Sequence, residues 1–500
     1  MFKYIILVMA LLYSTILKTT FSQETFLKIY PSQEDKDIYN VFETNDGHFI
    51  FSGRILLNNS SYDRTGTMSK ITSSGELVDS KNYNYSNGNS LYAELANTST
   101  SGLYYLLGSQ DSVSNNQVFS KVFLKTIDND MNTISITEYG TWTDYNNIAC
   151  DFEVLGDSIA YILSILIHEN TGKYNYLLIR ADLVNGNYNY FIPNDNLFKA
   201  ATGFIIDQTN ELVKVNYRIF GDDYTMWPWN PVANISYNLE NVEIVLLQND
   251  FFSQTKIADK TDSTYLLSAA FYDLNNGQRD LGIAEYNKQD SLLSQVKFPG
   301  GIDSTTYPGA GRNNILITSD YIWVMGWYNC LTSMSLCTNE PTYIMLNKLT
   351  HNLELIEQLF YGGEGVYVPK DIIETNDNHI VVAGDFFDPY AVPFNCHFDP
   401  FILKVNSEGL IVNTQNHELP QVHEAIVVPN PGKEILAVKL AIQHHAAVLQ
   451  LFDIRGRLLL TEHINTDMQQ INTSALPAGI YPYRITAGNR IIGWGKWVKE

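Results

Sequence analysis

Two tryptophans bracketing a proline make FGDDYTMWPWNP, Phe220 to Pro231, the stretch of this 500-residue sequence best suited to holding a ligand. Trp227 and Trp229 offer flat apolar faces for a sugar ring, and Asp222, Asp223 and Asn230 supply hydrogen-bonding groups beside them. The competing reading is that both indoles fold back and seal the irregular repeat in which they lie. NCHFD puts Cys396, His397 and Asp399 in one loop, but no second pair of ligands accompanies them, so it reads as an ordinary loop and not a zinc site. DNDMN, Asp128 to Asn132, alternates oxygen ligands as calcium loops do. It lacks the glycine turn and the distant glutamate, and reads as a hairpin turn. His444 and His445 are adjacent, which on a strand sends them to opposite faces. No GxSxG, HExxH, P-loop or CxxC occurs, so no catalytic residue, metal or cofactor is expected.

The elements that must position such groups are strands. Tyr (32), Phe (24) and abundant Val, Ile and Thr are broken by Asn, Asp, Ser and Gly, and no long helical periodicity follows the leader. The formal charge of −22 repels phosphate backbones and anionic membranes, which removes nucleic acid as a partner. Residues 1–22 carry Lys3, an apolar run from Tyr4 to Leu17 and small Thr20 and Ser22, the pattern of a secretory signal peptide; the mature chain is expected from Gln23, with no later segment able to anchor it in a membrane. Export permits disulfides, and Cys330 and Cys337 bracket a loop that one bridge would close, leaving Cys150 and Cys396 as buried thiols.

ETNDGHFIFSG (Glu43–Gly53) returns as ETNDNHIVVAG (Glu374–Gly384). Between them, strands ending in a small or polar residue recur at Gly108, Ser164, Asn216, Ala269 and Gly326, a period of about 55 residues. Each unit continues with a polar loop, a second strand, a turn and a third strand, as in MSKITSSGELVDSKNY and FILKVNSEGLIV; Gly75 and Gly409 fall where a tight hairpin needs positive φ. With the short apolar stretch that opens most units, this makes four strands per unit. Seven four-stranded units in 23–420 predict a β-propeller, because ring closure buries both faces of every small sheet and removes the need for caps. TFLKIY, Thr25 to Tyr30, reads as a strand that zips the ring shut, while IVNTQNHEL offers the last unit its own final strand, so the pattern gives seven blades and leaves room for an eighth. These phrases resemble the repeats of secreted bacterial β-propeller proteins, a resemblance that covers 37–420 and speaks to architecture alone.

After Pro420 the balance changes to eight basic against six acidic side chains. Short strands separated by Gly, Pro and Asn turns predict a small immunoglobulin-like sandwich over 421–500. PNPGKE, LFDIRGRLL, INTSALPAGIYPYRI and the closing GKWVK resemble the type IX secretion C-terminal sorting domain of Bacteroidetes (T9SS type A). The resemblance gives sorting-motif roles to Pro429, Asn430, Pro431, Asp453, Gly456, Leu476, Pro477, Gly479, Tyr481 and Lys496, and implies the type IX secretion machinery as a partner. Asp453 to Gly456 should form a hairpin turn, Ile480 and Tyr481 should alternate inward and outward, and Pro482 replaces the usual small residue. The implied route runs through the periplasm to the cell surface or the medium. Three function classes follow: a binding protein for polysaccharide or a surface protein, an extracellular hydrolase or lyase using carboxylates around a central channel, and a structural or adhesion component.

Overall fold

The computed structural model describes residues 25–499 apart from 33, 57–63, 84–87, 98–102, 115–116, 157, 169, 195–197, 221–230, 248–250, 273–278, 299–305, 309–312, 330–340, 390–396, 412–424, 430, 441–446, 454–456, 467 and 488–489. The chain divides into two compact units, Met1–His417 and Glu418–Glu500. All regular elements among the described residues are strands.

The first unit is a succession of antiparallel sheets. Sheets 1 to 5 each take four consecutive strands and begin at Asp35, Gly88, Tyr145, Phe198 and Phe251; sheet 6 begins at Thr306, and sheet 7 combines Val366–Glu374, Ile380–Phe387 and Asp399–Val405 with the early strand Phe26–Ile29. That early strand takes the outer place of sheet 7, pairing Phe26 with Lys404 and Ile29 with Phe401. IVNTQNHEL lies almost wholly outside the described residues.

Apolar alternation explains why the sheets stack. The second strand of sheet 1 sends Phe49 and Phe51 into the core against sheet 7 and Ile50 into the core against sheet 2. Both faces are therefore buried, and the strand opens on an unbroken apolar run, Phe49 to Phe51. A cluster of this kind lies between each pair of neighbouring sheets, including one joining sheet 7 to sheet 1 through Phe26, Ile38, Phe49, Val381 and Ile402. The result is a propeller-like repeat fold closed on itself.

The small residue that marks each repeat has a steric cause. Six first strands carry a bulge at the same level, at Ile38/Asn40, Tyr92/Glu94, Ala149/Asp151, Ala201/Gly203, Gln254/Lys256 and Pro369/Asp371. Opposite stand Gly53, Gly108, Ser164, Tyr217, Ala269 and Gly384. A Cβ on Gly53 would lie 2.1 Å from the Asp37 carbonyl oxygen. Sheet 4, the irregular repeat, sets the large Tyr217 at this place.

The repeated ETND phrase is a turn built around threonine. His48 and His379 donate their backbone N–H to the Thr44 and Thr375 hydroxyls, which bond in turn to Asp46 and Asp377, and Lys70 and Lys404 reach those carboxylates at 3.2 and 3.3 Å. The one position of the turn that changes, Gly47 to Asn378, has positive φ in both copies (77° and 60°), which glycine and asparagine accept most easily.

The second unit has two sheets. Ala425–Val428, Ile435–Leu440 and Met468–Asn472 form one, and Leu458–Ile464, Ala447–Phe452, Gly479–Ala487 and Arg490–Lys499 the other. They share one core, in which Val427, Leu436 and Val438 meet Leu449, Ile485 and Trp497.

Candidate functional site

Beyond the bulges, the first strands place Asn40, Asp151, Gly203, Lys256 and Asp371 at equivalent levels facing a common axis. Lys256 Nζ meets Asp151 Oδ2 at 2.6 Å although sheet 4 lies between their strands. It passes over Gly203, where a Cβ would stand 3.2 Å from Lys256 Cδ and 3.4 Å from Asp151 Oδ2. Asp371 Oδ2 accepts hydrogen bonds from Asn40 Nδ2 (3.0 Å) and Val41 N (2.8 Å). Polar side chains thus meet across the axis. A cation buried between carboxylates in this way positions strands and is not free to do chemistry.

Asp371 supplies a pH signature. Burial pushes its carboxyl up to about 6, against the opposing effect of the Val41 N–H and Lys256. A folded-state pKa above the unfolded value means the folded chain binds the extra proton, so stability falls as pH rises through the interval between the ordinary carboxylate range and 6. We expect denaturant titrations at pH 5 and pH 7.5 to differ by roughly 1.4 kcal/mol through this group, with the acid condition the more stable. Asp371→Asn should flatten that dependence, and an equal slope in the variant would refute the assignment.

A second buried cluster sits at the junction of sheets 7 and 1. Lys370 pairs with Asp37 and, at 2.5 Å, with Asp385; Arg54 contacts Asp37 at 2.6 Å, and Asp385 Oδ1 accepts the Ile38 N–H at 2.8 Å. Burial works against the Asp37 charge, but Lys370 and Arg54 outweigh it and hold this carboxyl well below the usual range. Asp385, desolvated and beside Asp37, is pushed up.

A groove of about 300 Å³ opens between the first turns of sheets 4 and 5, lined by Asp207, Thr209, Asp259, Lys260, Asp262 and Lys288. Lys288 pairs with Asp259, and Lys260 with Glu285 at 2.7 Å. Outside the lining of this groove, Glu153 keeps a solvent-exposed edge, and partial desolvation followed by the charges of Asp151 and Asp259 pushes its carboxyl up to about 7. The composition of this groove suits a polar ligand, and a carboxyl poised near neutrality is able to move a proton. Sequence reasoning did not find it, because Glu153, Asp207 and Asp259 are spread over three repeats and only the closed fold brings them together.

Of the ligand-binding residues expected from sequence, Trp227, Trp229, Asp222, Asp223 and Asn230 lie outside the described residues, and so do Cys330, Cys337, Cys396, His444 and His445. The base of the tryptophan loop is described: Phe220 packs on Tyr174 of sheet 3, with ring centroids 6.0 Å apart. Cys150 is a buried thiol in the core between sheets 3 and 4, its Sγ 3.2 Å from the Ile148 carbonyl oxygen. Asp128 accepts the N–H groups of Asp130 and Asn132 and closes a hairpin turn, and His397 Nε2 lies 2.9 Å from the Ser32 carbonyl oxygen. Among the described residues no group of three or more His, Cys, Asp or Glu is arranged to hold a metal, and no helix is long and apolar enough to cross a membrane.

In the second unit the separate motifs converge. Trp497 Nε1 donates to the Pro429 carbonyl at 2.9 Å, and Gly432 N donates to Val498 O at 2.8 Å. Lys499 Nζ donates to the carbonyls of Thr473 (2.7 Å) and Leu476 (2.5 Å), while the Tyr481 hydroxyl donates to Pro477 O at 2.6 Å. Pro429, Pro431, Leu476, Pro477, Gly479 and Tyr481 therefore surround the end of the last strand. Trp497 and Lys499, which hold them, were quoted in a motif but given no role. Tyr481 faces the core and Ile480 is exposed; Pro482 keeps its register opposite the exposed Lys496. Asp453 accepts the Arg457 N–H across a turn whose residues 454–456, with Gly456, lie outside the described set, as does Asn430.

Residues 426–500 match the family model of the secretion system C-terminal sorting domain. The chain thus carries the tail by which the type IX system exports its cargo, and is a secreted or cell-surface protein rich in β-sheet. No curated protein matches it. Solved structures similar to it include the β-propeller domain of the Trilobed protease from Pyrococcus furiosus (8% identity, TM-score 0.43, covering 79% of this chain and 100% of that one). The endosialidase of phage phi92 is similar at 9% identity and TM-score 0.43, over 89% of this chain and 75% of the other. A Trypanosoma rangeli sialidase follows at 8% and 0.37, over 95% and 87%.

Proposed function

We propose that this is an exported binding protein of a Bacteroidetes bacterium, a seven-bladed β-propeller presented outside the outer membrane, with an immunoglobulin-like sorting domain as its address. The observation that carries the export reading is the family match over 426–500, together with the gathering of its motifs around Trp497 and Lys499. What supports binding over catalysis is the axis, where Lys256, Asp151, Asp371 and Asn40 are engaged with one another. The ligand is a polysaccharide or a surface protein. The tryptophan loop from Phe220 and the groove of sheets 4 and 5 are two places where the scaffold offers chemistry to it. A second reading, hydrolysis or elimination on an external polymer, draws on the Glu153 carboxyl, which stands outside the lining of that groove but within reach of the Asp259 charge, and which near neutrality has the character of a general acid.

Export is tested by deleting 421–500 in a host with a working type IX system and fractionating the cells. The shortened chain should collect in the periplasm while the full chain reaches the surface or the medium. Equal surface delivery of the two would overturn the reading.

A further inference from the structure

We propose that the outer wall of sheets 2 and 3 is a carbohydrate-binding face that takes a neutral polysaccharide, held by Trp142, Tyr188 and Tyr190. The proposal rests on the binding reading above and gives it a site away from the axis and the tryptophan loop.

The outermost strands expose mainly aliphatic side chains, such as Leu77, Ile244, Leu292 and Leu355, and Ile134 and Ile136 on sheet 2 itself. Among the described residues, the only large exposed apolar side chains that are aromatic are Tyr188 (39% exposed) and Tyr190 (55%). They are two residues apart on Tyr188–Phe191, so both project from one face, about 7 Å apart by strand geometry. That spacing addresses successive rings of an extended chain.

Both tyrosines are braced by aromatics of the neighbouring sheet. Tyr188 stands edge-on to Tyr139 (5.7 Å, 81°), and Tyr190 edge-on to Trp142 (6.2 Å, 85°). Edge-to-face contact fixes the rings and leaves faces open for stacking, so little order has to be lost on binding. Trp142 is held by its own backbone. Gly140 has φ +69°, and a Cβ there would lie 2.1 Å from the indole, so the ring occupies the space a side chain would need. Gly140 N donates to the Tyr188 hydroxyl oxygen at 3.1 Å, which leaves the O–H of Tyr188 to donate outward. Tyr139, fully buried behind Tyr188, has a hydroxyl with no hydrogen-bond partner among the described residues.

Charge decides the ligand class. The three rings present hydroxyls and an indole, and the charges around them are Lys121, paired with Glu138 at 2.5 Å, Asp182, bonded to Asn185, and the acidic Asp144 two residues beyond Trp142, which adds to the repulsion of an anion. A net charge of −22 opposes both a polyanion and a second copy of the chain. Flat π faces with hydroxyl donors suit an uncharged sugar polymer.

The test is affinity electrophoresis of the full chain through gels containing laminarin, galactomannan, hydroxyethyl cellulose or alginate, with released reducing ends measured in parallel incubations. At least one neutral polymer should retard the protein, and alginate should not. Tyr188→Ala and Tyr190→Ala should each weaken retardation about tenfold and together abolish it, with the thermal midpoint held, while Leu355→Ala, an exposed side chain on the outer strand of sheet 6, leaves it intact. Gly140→Ala should weaken binding by displacing Trp142, read as a shift in tryptophan emission. If a neutral polymer retards wild type and the double tyrosine variant equally, the binding reading stands and this face is not its site. Retardation by alginate alone, or by no polymer, overturns the assignment of this face, and the latter also removes polysaccharide from the binding reading. Reducing ends released equally by wild type and the double variant would place the chemistry elsewhere and overturn it too.

Discussion

Lys370→Met should lower the unfolding free energy of the full chain by about 3–5 kcal/mol, the cost of leaving buried carboxylates without their shared cation. Lys370 is buried between Asp37 and Asp385 and joins the first sheet to the last. Methionine keeps much of the stem's volume, so the loss is electrostatic. The double variant Lys370→Met/Asp385→Asn should recover part of it, because the carboxyl whose charge is least favoured is then gone. Lys404→Met, which removes a partner of the more accessible Asp377, should cost much less. Thermal and denaturant unfolding of the four proteins measures this. A Lys370→Met midpoint equal to wild type would show that the junction is held by its apolar cluster alone.

A single methyl group at Gly384 should be nearly as damaging. Its Cβ would lie 2.2 Å from the Val368 carbonyl oxygen and 2.6 Å from the Phe401 ring, and neither a backbone carbonyl nor a packed core ring can withdraw. The bulge would have to be rebuilt, at roughly 3 kcal/mol by analogy with overpacked cores. Gly47→Ala is the control: nothing lies within 4 Å of its added Cβ, and only the positive φ opposes it, at about 1 kcal/mol. Gly47→Asn should be milder still, since the second copy of the turn already carries Asn378 there. The order Gly384→Ala, Gly47→Ala, Gly47→Asn in falling damage is the expected result; a Gly384→Ala protein as stable as Gly47→Asn would refute the steric account.

These glycines show how far the fold was legible. A strand that ends in a small residue is a local signal, repeated because each bulge imposes the same steric demand, so repeat length and strand count could be read off the chain. The fourth repeat read poorly because its sheet sets Tyr217 where the others are mostly small. The closing strand was ambiguous because Thr25–Tyr30 and IVNTQNHEL compete for one place, and sequence has no term for which of them reaches sheet 7 first. The tail was legible because its motifs are contiguous, yet the side chains that gather them, Trp497 and Lys499, act through contacts to distant backbone. Sites assembled across repeats were invisible. Glu153 comes under the charge of Asp259, two sheets away, and Trp142 meets Tyr190 on the next sheet, only once the sheets are packed, and no residue spacing announces either pair.

The pairing of Phe26–Ile29 with Phe401–Lys404 also sets a timetable. In a chain that emerges N-terminus first, sheets 1 to 6 each have all their strands before sheet 7 exists, whereas the earliest strand waits for residues made some 375 positions later. An unassisted loop of that length costs roughly 5 kcal/mol to close. The cores that form between successive sheets shorten the effective gap step by step, so closure becomes the last event and the first to reverse. Local opening under stress should therefore begin with release of Phe26–Ile29, detectable as early hydrogen exchange in that strand and its partner while the other sheets stay protected.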